Sequence, residues 1–226
     1  TVWVGDVKYK DISGPDGVPD GVIDDYDKTN IGSPMPKFTF GWTNTFRYKN
    51  FDLSVFINGS YGNKVYNYLS MKLTHMNSPW TNQLNAVNGR AQLVPINPNK
   101  VYEDGTMWYN DVSNVMVANP GASIPRATIN DPNDNDRISD RYIEDGSYIR
   151  LKNISLGYTF PKKTIDKLGL SNLRIYANIQ NLLTITGYDG YDPEIGASTS
   201  SVNVYGLDNG RYPSPTVYSF GLNVSF

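Results

Sequence analysis

The 226-residue chain contains no cysteine. A disulfide framework, a zinc finger, an iron–sulfur cluster and a thiol nucleophile are therefore excluded, and nothing in the chain reports the redox compartment. The single histidine, His75, rules out a His-based metal cluster and leaves little basis for a Ser-His-Asp triad. Neither sign of charge dominates: 20 Lys and Arg face 22 Asp and Glu, for a net charge of −2 and a pI near 5.4. No basic footprint for nucleic acid or for an anionic membrane surface results. A continuous apolar run of about 18 residues is also missing, which excludes a membrane helix. It does not exclude a membrane, because a spanning β-strand needs only about 9–11 residues with every second one apolar. The chain opens at Thr1 with neither an initiator Met nor a signal peptide and reads as a mature product or a fragment.

What is present is a surplus of rings in a chain that is polar on average. Aromatics make up 13% of the residues, 17 of them Tyr, yet the mean hydropathy is −0.45. With 20 Gly and 14 Pro breaking the chain, this composition predicts many short strands of alternating polarity. Thr216 to Phe226 places Tyr218, Phe220, Leu222, Val224 and Phe226 on one face and Ser219, Gly221, Asn223 and Ser225 on the other. Asn172 to Thr184, Phe51 to Tyr61 and Lys37 to Arg47 alternate in the same way, Phe56 being the one ring on the polar side of Phe51 to Tyr61. Ser147 to Phe160 changes parity between Leu151 and Ile154, which predicts a bulge near Lys152–Asn153. The expected strands are 36–47, 51–61, 147–160, 172–184 and 214–226.

The connections carry as much information as the strands. Tyr48-Lys49-Asn50 and Pro161 to Ser171 are short, whereas 62–146 and 185–213 are long and rich in Asn, Asp, Gly and Pro. Short and long connections alternate along a meander, so the short ones gather at one end. Outer-membrane barrels have that asymmetry, with short periplasmic turns and long extracellular loops. The expected fold is therefore all-β, an antiparallel transmembrane β-barrel. Residues 1–35 read as a preceding extracellular loop, 36–226 as barrel strands with extracellular loops 62–146 and 185–213, and the C-terminus as periplasmic. The competing reading is a soluble β-sandwich acting as a carbohydrate-binding module. Against it stand the size of the apolar side chains, the polarity of the opposite face, and rings gathered near strand ends, such as Trp42, Tyr48, Tyr61, Tyr158, Tyr188 and Tyr191. Five strands cannot close a barrel, and an open edge in lipid leaves amides without partners. The chain is then either the C-terminal part of a longer barrel, supplying about its last five strands, or must pair with other chains.

Five stretches resemble the SusC/RagA family of TonB-linked outer-membrane transporters: GDVKYKD (Gly5 to Asp11), PKFTFGWTNTFRYKNFDLSVFINGSYGN (Pro36 to Asn63), SDRYIEDGSYIRLKNISLGYTFP (Ser139 to Pro161), NLRIYANIQNLLTITGYDGYDPE (Asn172 to Glu194) and the terminal SFGLNVSF. They cover about half the chain; Met71 to Pro132 agrees least. The resemblance implies a Gram-negative outer membrane and a barrel of about 22 strands with a plugged lumen. It also implies a SusD-like surface lipoprotein as a lid, energy from TonB through a region upstream of Thr1, and oligosaccharides or peptides as cargo. A terminal aromatic on an alternating last strand resembles the signal read by the barrel-assembly machinery, which Phe226, with Leu222 and Phe220, matches. Outer-membrane lipid is the remaining partner, and nucleic acid is not one.

The sharpest local motif is DGVPDGVIDDYD, Asp16 to Asp27. Set on the calcium loop of EF-hands, Asp16, Asp20, Asp24 and Asp27 take carboxylate positions, Gly21 takes the turn, and Val22 offers its carbonyl. Val18 and the short Asp27 depart from that pattern, and a solvated acidic turn is the plainer reading. Asp192 with Glu194, and Glu144 with Asp145, are carboxylate pairs that turn chemistry explains better than general acid–base catalysis, so no enzyme is expected. His75 falls in an expected amphipathic helix, Asn63 to Met76, on its solvent side. Trp80, Tyr102, Trp108, Tyr109, Tyr205 and Tyr212 are loop rings that could contact cargo or lid, and Arg174, Asn178 and Gln180 are expected to face the lumen.

Overall fold

The computed structural model describes residues 2–195, 197–198 and 201–226; the side chains of 197, 198 and 201–203 are not considered. Its strands are β1 (Phe38–Tyr48), β2 (Phe51–Tyr61), β3 (Lys64–Asn67), β4 (Leu93–Pro95), β5 (Val115–Val117), β6 (Ile143–Asp145), β7 (Tyr148–Thr159), β8 (Asn172–Thr186), β9 (Ala197–Ser198), β10 (Ser201–Tyr205), β11 (Leu207–Asp208) and β12 (Val217–Ser225). Two short helices join them, α1 (Tyr68–Thr74) and α2 (Lys162–Ile165). The chain divides into two units: Thr1–Ile31 with Tyr68–Tyr142, and Gly32–Asn67 with Ile143–Phe226.

The second unit is built on a five-stranded antiparallel sheet in the order β1-β2-β7-β8-β12. All five strands lie within a few residues of the positions that alternation predicts. The parity change in β7 is a bulge at Lys152. From Ile57 to Val55 in β2 is two steps, whereas their partners Leu151 and Ile154 in β7 are three apart and Leu183 and Ile179 in β8 are four apart. One extra residue in β7 switches parity, and a second in β8, beside Asn181 at φ 52°, restores it. Ile149, Leu151, Ile154 and Leu156 are thereby kept on the same side as Leu53, Val55 and Ile57.

That side is not a core. Trp42 is 59% exposed, Phe46 58% and Phe220 84%, and the buried residues of this unit, such as Val65, Ile165 and Tyr188, lie off the apolar face. A β-sandwich would cover such a face with a second sheet. A continuous uncovered apolar face this wide marks a surface made for a nonaqueous partner. Phe56, on the polar side of β2, packs over Gly41.

The first unit holds its own small core, in which Met76, Val87 and Ile124 cluster, beside the β4–β5 pair. The expected helix Asn63 to Met76 is only half helical. Lys64–Asn67 forms β3, paired with β6 and, in parallel, with β11, because β-branched Val65 and Tyr66 find ladder partners there.

Candidate functional site

On the polar face of the sheet, Arg174 reaches diagonally from β8 to Asp52 on β2, with Nη2–Oδ2 2.6 Å and Nε–Oδ1 3.2 Å. The strand between them contributes Gly157, where a Cβ would collide with both the guanidinium and the carboxylate. Glycine there is what lets the pair span a strand. The Arg174 guanidinium also lies 5.2 Å from the centre of the Tyr176 ring. Asn178 stands between Ser155 and Ser219, and Arg174, Asn178 and Gln180 share this face as alternation requires. The Oδ1 atom of Asn178 is shielded from solvent and has no hydrogen-bond partner among the described residues.

At the end of β7 and β8 nearer the long connections, buried Arg150 organises the turn that sequence marked as carboxylate pairs. Its Nε donates to Thr184 Oγ1 at 2.8 Å, its Nη1 to Glu194 Oε2 at 2.7 Å, and its Nη2 to Asp192 Oδ1. Lys152, the bulge residue, reaches Glu194 at 2.9 Å. Asp192 also accepts the amides of Ser214 and Glu194. Burial pushes the Asp192 carboxyl up, but these amides and Arg150 outweigh it and hold the group below the usual carboxylate range. Tyr188 donates to Asp208 at 2.6 Å, and burial together with that bond drives its hydroxyl pKa far up. Glu144 accepts from Asn67 and from the Asp189 amide. These carboxylates are spent on fastening loops, which matches the turn reading. Sequence analysis missed Arg150; the signal was an arginine on the polar side of a strand, two residues from Lys152, in a chain with the unpaired loop carboxylates of GYDPE.

In the first unit a buried polar network ties residues 3–9 to the turn at 131–137. Asp6 accepts from Arg126 at 2.8 Å and from Asn135 at 3.2 Å, Asn135 Oδ1 accepts the Val7 amide at 2.7 Å, and Asn133 Nδ2 donates to the Val7 carbonyl. Tyr9 donates to the Asp134 carbonyl, and burial pushes its pKa up to about 12. His75 belongs to this network and is not on a solvent side: it is 8% exposed, and its amide continues the α1 ladder to the Met71 carbonyl. Its Nε2 lies 2.8 Å from Asp131 and its Nδ1 3.1 Å from Asp136. Among the described residues this is the one trio of His and carboxylates with ligand atoms within 4.8 Å of one another. The ring sits between the two carboxylates, with one ring nitrogen within hydrogen-bond distance of each.

The acidic loop uses a different register from the one the spacing suggested. Gly21 donates its amide to Asp11 Oδ2 at 2.6 Å, and no hydrogen bond of Asp16 is present among the described residues. Asp20 and Asp24 accept the amides of Val22 and Tyr26, while Asp27 accepts those of Ile12, Ser13 and Asp24. The Ile12 and Asp24 amides hold the Asp27 carboxyl below its ordinary value. The oxygens of Asp16, Asp20, Asp24 and Asp27 are not gathered within reach of one ion.

Of the loop rings, Tyr102 is committed to its own loop: its hydroxyl donates to Asp111 and accepts from Asn114, both at 2.9 Å. Trp108 and Tyr109 meet edge to face at 5.7 Å. Trp80 and Tyr212 are 92% and 84% exposed, and Tyr205 is exposed as well. Phe220, Leu222 and Phe226 point outward from β12, which Ser171 fastens at its end through the Ser225 and Phe226 carbonyls.

No family model matches the chain. Comparison with known proteins finds TonB-dependent receptor P3 of Formosa agariphila, 36% identical over 91% of this chain and 18% of that protein. It also finds TonB-dependent receptor SusC of Bacteroides thetaiotaomicron, 29% identical over 91% of this chain and 17% of that protein. Among solved structures, the RagAB peptide importer in its closed-closed state matches with a TM-score of 0.60 and 19% identity, over 94% of this chain and 20% of that one. The chain thus spans about a fifth of the length of the relatives it matches. The open antiparallel sheet, the uncovered apolar face and these relatives agree: the chain belongs to the SusC/RagA family of TonB-dependent outer-membrane receptors, as a portion of a transmembrane β-barrel.

Proposed function

We propose that this chain supplies wall strands and loops of a TonB-dependent importer that carries oligosaccharides or peptides across the outer membrane, working with a SusD-like surface lipoprotein. The observation that carries this reading is the sheet with one face of exposed rings and aliphatic side chains and one face of Thr, Ser, Asn and Gly. Its short connections then lie in the periplasm, its long ones outside the cell, and Arg174, Asn178 and Gln180 line the lumen. Trp80 and Tyr212, the most exposed of the loop rings, are the cargo or lid contacts; an exposed ring can stack on a sugar or grip a peptide side chain. Coupling to TonB falls to a part of the protein upstream of this chain, and Phe226 with Phe220 and Leu222 serves the barrel-assembly machinery.

The test is uptake in the native host. Deleting the full-length gene is expected to abolish growth on one class of polymer, oligosaccharide or peptide, as does loss of TonB. A surface lipoprotein is expected to copurify with the receptor. Unchanged growth on every oligosaccharide and peptide source would remove the importer reading. Separately, deleting Phe226 is expected to lower the amount of assembled barrel; normal surface levels would remove the assembly role.

A further inference from the structure

Where the two-residue turn Lys49–Asn50 joins β1 to β2, a cavity of about 580 Å³ opens beside Arg47, Lys49 and Arg174. Asn50, Asp52 and Thr159 complete its polar wall. The register explains the gathering. Arg47 is directly opposite Asp52, and Thr159 directly opposite Arg174, so these four residues share the polar face at the same end of the sheet. Charge in the cavity is unbalanced. Its one carboxylate, Asp52, is held by Arg174 at 2.6 Å, and among the described residues neither Arg47 nor Lys49 has a carboxylate within ion-pair reach. Lys49 sits in the left-handed region, at φ 53°, where a hairpin turn favours Gly or Asn. Its ammonium lies 5.3 Å from the centre of the Tyr48 ring.

We propose that this cavity binds a phosphate group. The Arg47 guanidinium, with no carboxylate within ion-pair reach, stands beside the Arg174 fork and the polar groups of Asn50 and Thr159, a set that suits the tetrahedral oxygens and negative charge of phosphate. Two sources carry that chemistry, the phosphodiester of an anionic phospholipid and a soluble phosphate. The rings of Phe51 and Tyr158, 4.7 Å apart, and of Phe160, 5.0 Å from Tyr158, stand at the same end of the sheet, where a belt of rings marks the headgroup level of a bilayer. The lipid source rests on the membrane reading above; the phosphate site itself does not.

The experiment compares full-length wild type with an Arg47→Gln/Lys49→Asn variant; Asn suits the turn, and Arg174 with its Asp52 pair stays intact. One arm titrates inorganic phosphate and follows amide-exchange protection of residues 45–52. The other follows retention of phosphatidylglycerol against phosphatidylcholine by native mass spectrometry. Phosphatidylglycerol retained by wild type and at least tenfold less by the variant supports a lipid headgroup. Protection by inorganic phosphate that the variant loses supports a soluble phosphate. No preference for either anion in wild type, or binding by the variant within twofold of wild type, overturns the proposal. Heat-modifiable mobility of both proteins is read alongside, so that failure of the barrel reading is seen separately from failure of the site.

Discussion

Replacing Arg150 with Met tests whether the loop between β8 and β12 is held by one buried charge. Arg150 and Asp192 have side-chain exposures of 3% and 7%, while Glu194 is 37% exposed. Removing one partner of a buried pair costs about 3–5 kcal/mol, because the other charge stays buried and unpaired. Asp192 keeps two backbone amides in the variant, and the exposed Glu194 is screened by solvent, so the lower end applies, about 3 kcal/mol. At 1.36 kcal/mol per tenfold, that is roughly a 150-fold rise in the open population of this turn. Hydrogen exchange on the full-length receptor in detergent reads it directly at the amides of Asp192, Glu194 and Ser214. Adding Asp192→Asn and Glu194→Gln to Arg150→Met removes the stranded charges and is expected to recover most of the protection. A change below about fivefold in the single variant, or no recovery in the triple, would show that the carboxylates and Arg150 are incidental neighbours.

Other perturbations probe the remaining parts. Val55→Arg, on the apolar face, is expected to cost about 2–4 kcal/mol of barrel stability, whereas Ser54→Arg on the opposite face is tolerated; equal heat-modifiable fractions for the two would contradict the assignment of faces. Gly157→Ala is expected to displace Arg174 from Asp52 and destabilise by about 1–3 kcal/mol, as overpacking does; an unchanged unfolding midpoint in urea refutes this. Asp111 is held far below the ordinary carboxylate range, first by Lys100 and then by Ser113 and Tyr102. A depressed folded pKa stabilises above the unfolded value of about 3.9 and is lost as pH falls through the folded value. Protection of residues 97–114 is therefore expected to persist below pH ~4 and to fail only at stronger acidity; loss beginning near pH 5 would be the wrong result.

How far the molecule can be read from its sequence depends on the range of the interaction. The five long strands were legible because period-two alternation is local, and the bulge at Lys152 showed as a parity change within one strand. The second irregularity, beside Asn181, was not legible, because two extra residues restore parity and leave alternation intact. Loop contacts were legible only as residue types. Asp192 and Glu194 were visible as a pair, but their partner Arg150 is 42 and 44 positions away, across a strand turn. The network of Asp6, Arg126 and Asn135 closes over 120 and 129 positions. The helix expected at 63–76 failed for the same reason: α1 keeps its second half, while Val65 and Tyr66 are claimed by β6, whose residues come 77 or more positions later.

The distribution of burial follows from where the solvent changes. In a soluble domain the strands would carry the core and the loops the exposed polar groups. Here the buried side chains cluster in the loop unit and at the loop end of the sheet, and include Asn114, Asp131, Asn133, Asn135, Arg150, Asp192 and Asp208. Loops exposed to water on both sides of a membrane must hold their shape without lipid, so they use hydrogen-bonded polar networks, in which a single unsatisfied member is costly. The strands need no such interior, because lipid covers one face and β2, β7 and β8 are paired on both sides, β1 and β12 being the edges of this sheet. This division makes opposite substitutions damaging in the two regions. An isosteric polar change such as Asp192→Asn weakens a loop by stripping an ion pair from Arg150, whereas the apolar face of the sheet carries no charge to lose. A charge gained on that face is what the sheet cannot tolerate. Charge-adding substitutions at Ile149, Leu151, Ile154 and Leu156 and charge-removing ones at Arg150, Asp192 and Glu194 are both expected to destabilise, and tolerance of added charge at the first four positions would mean that the sheet is not in lipid.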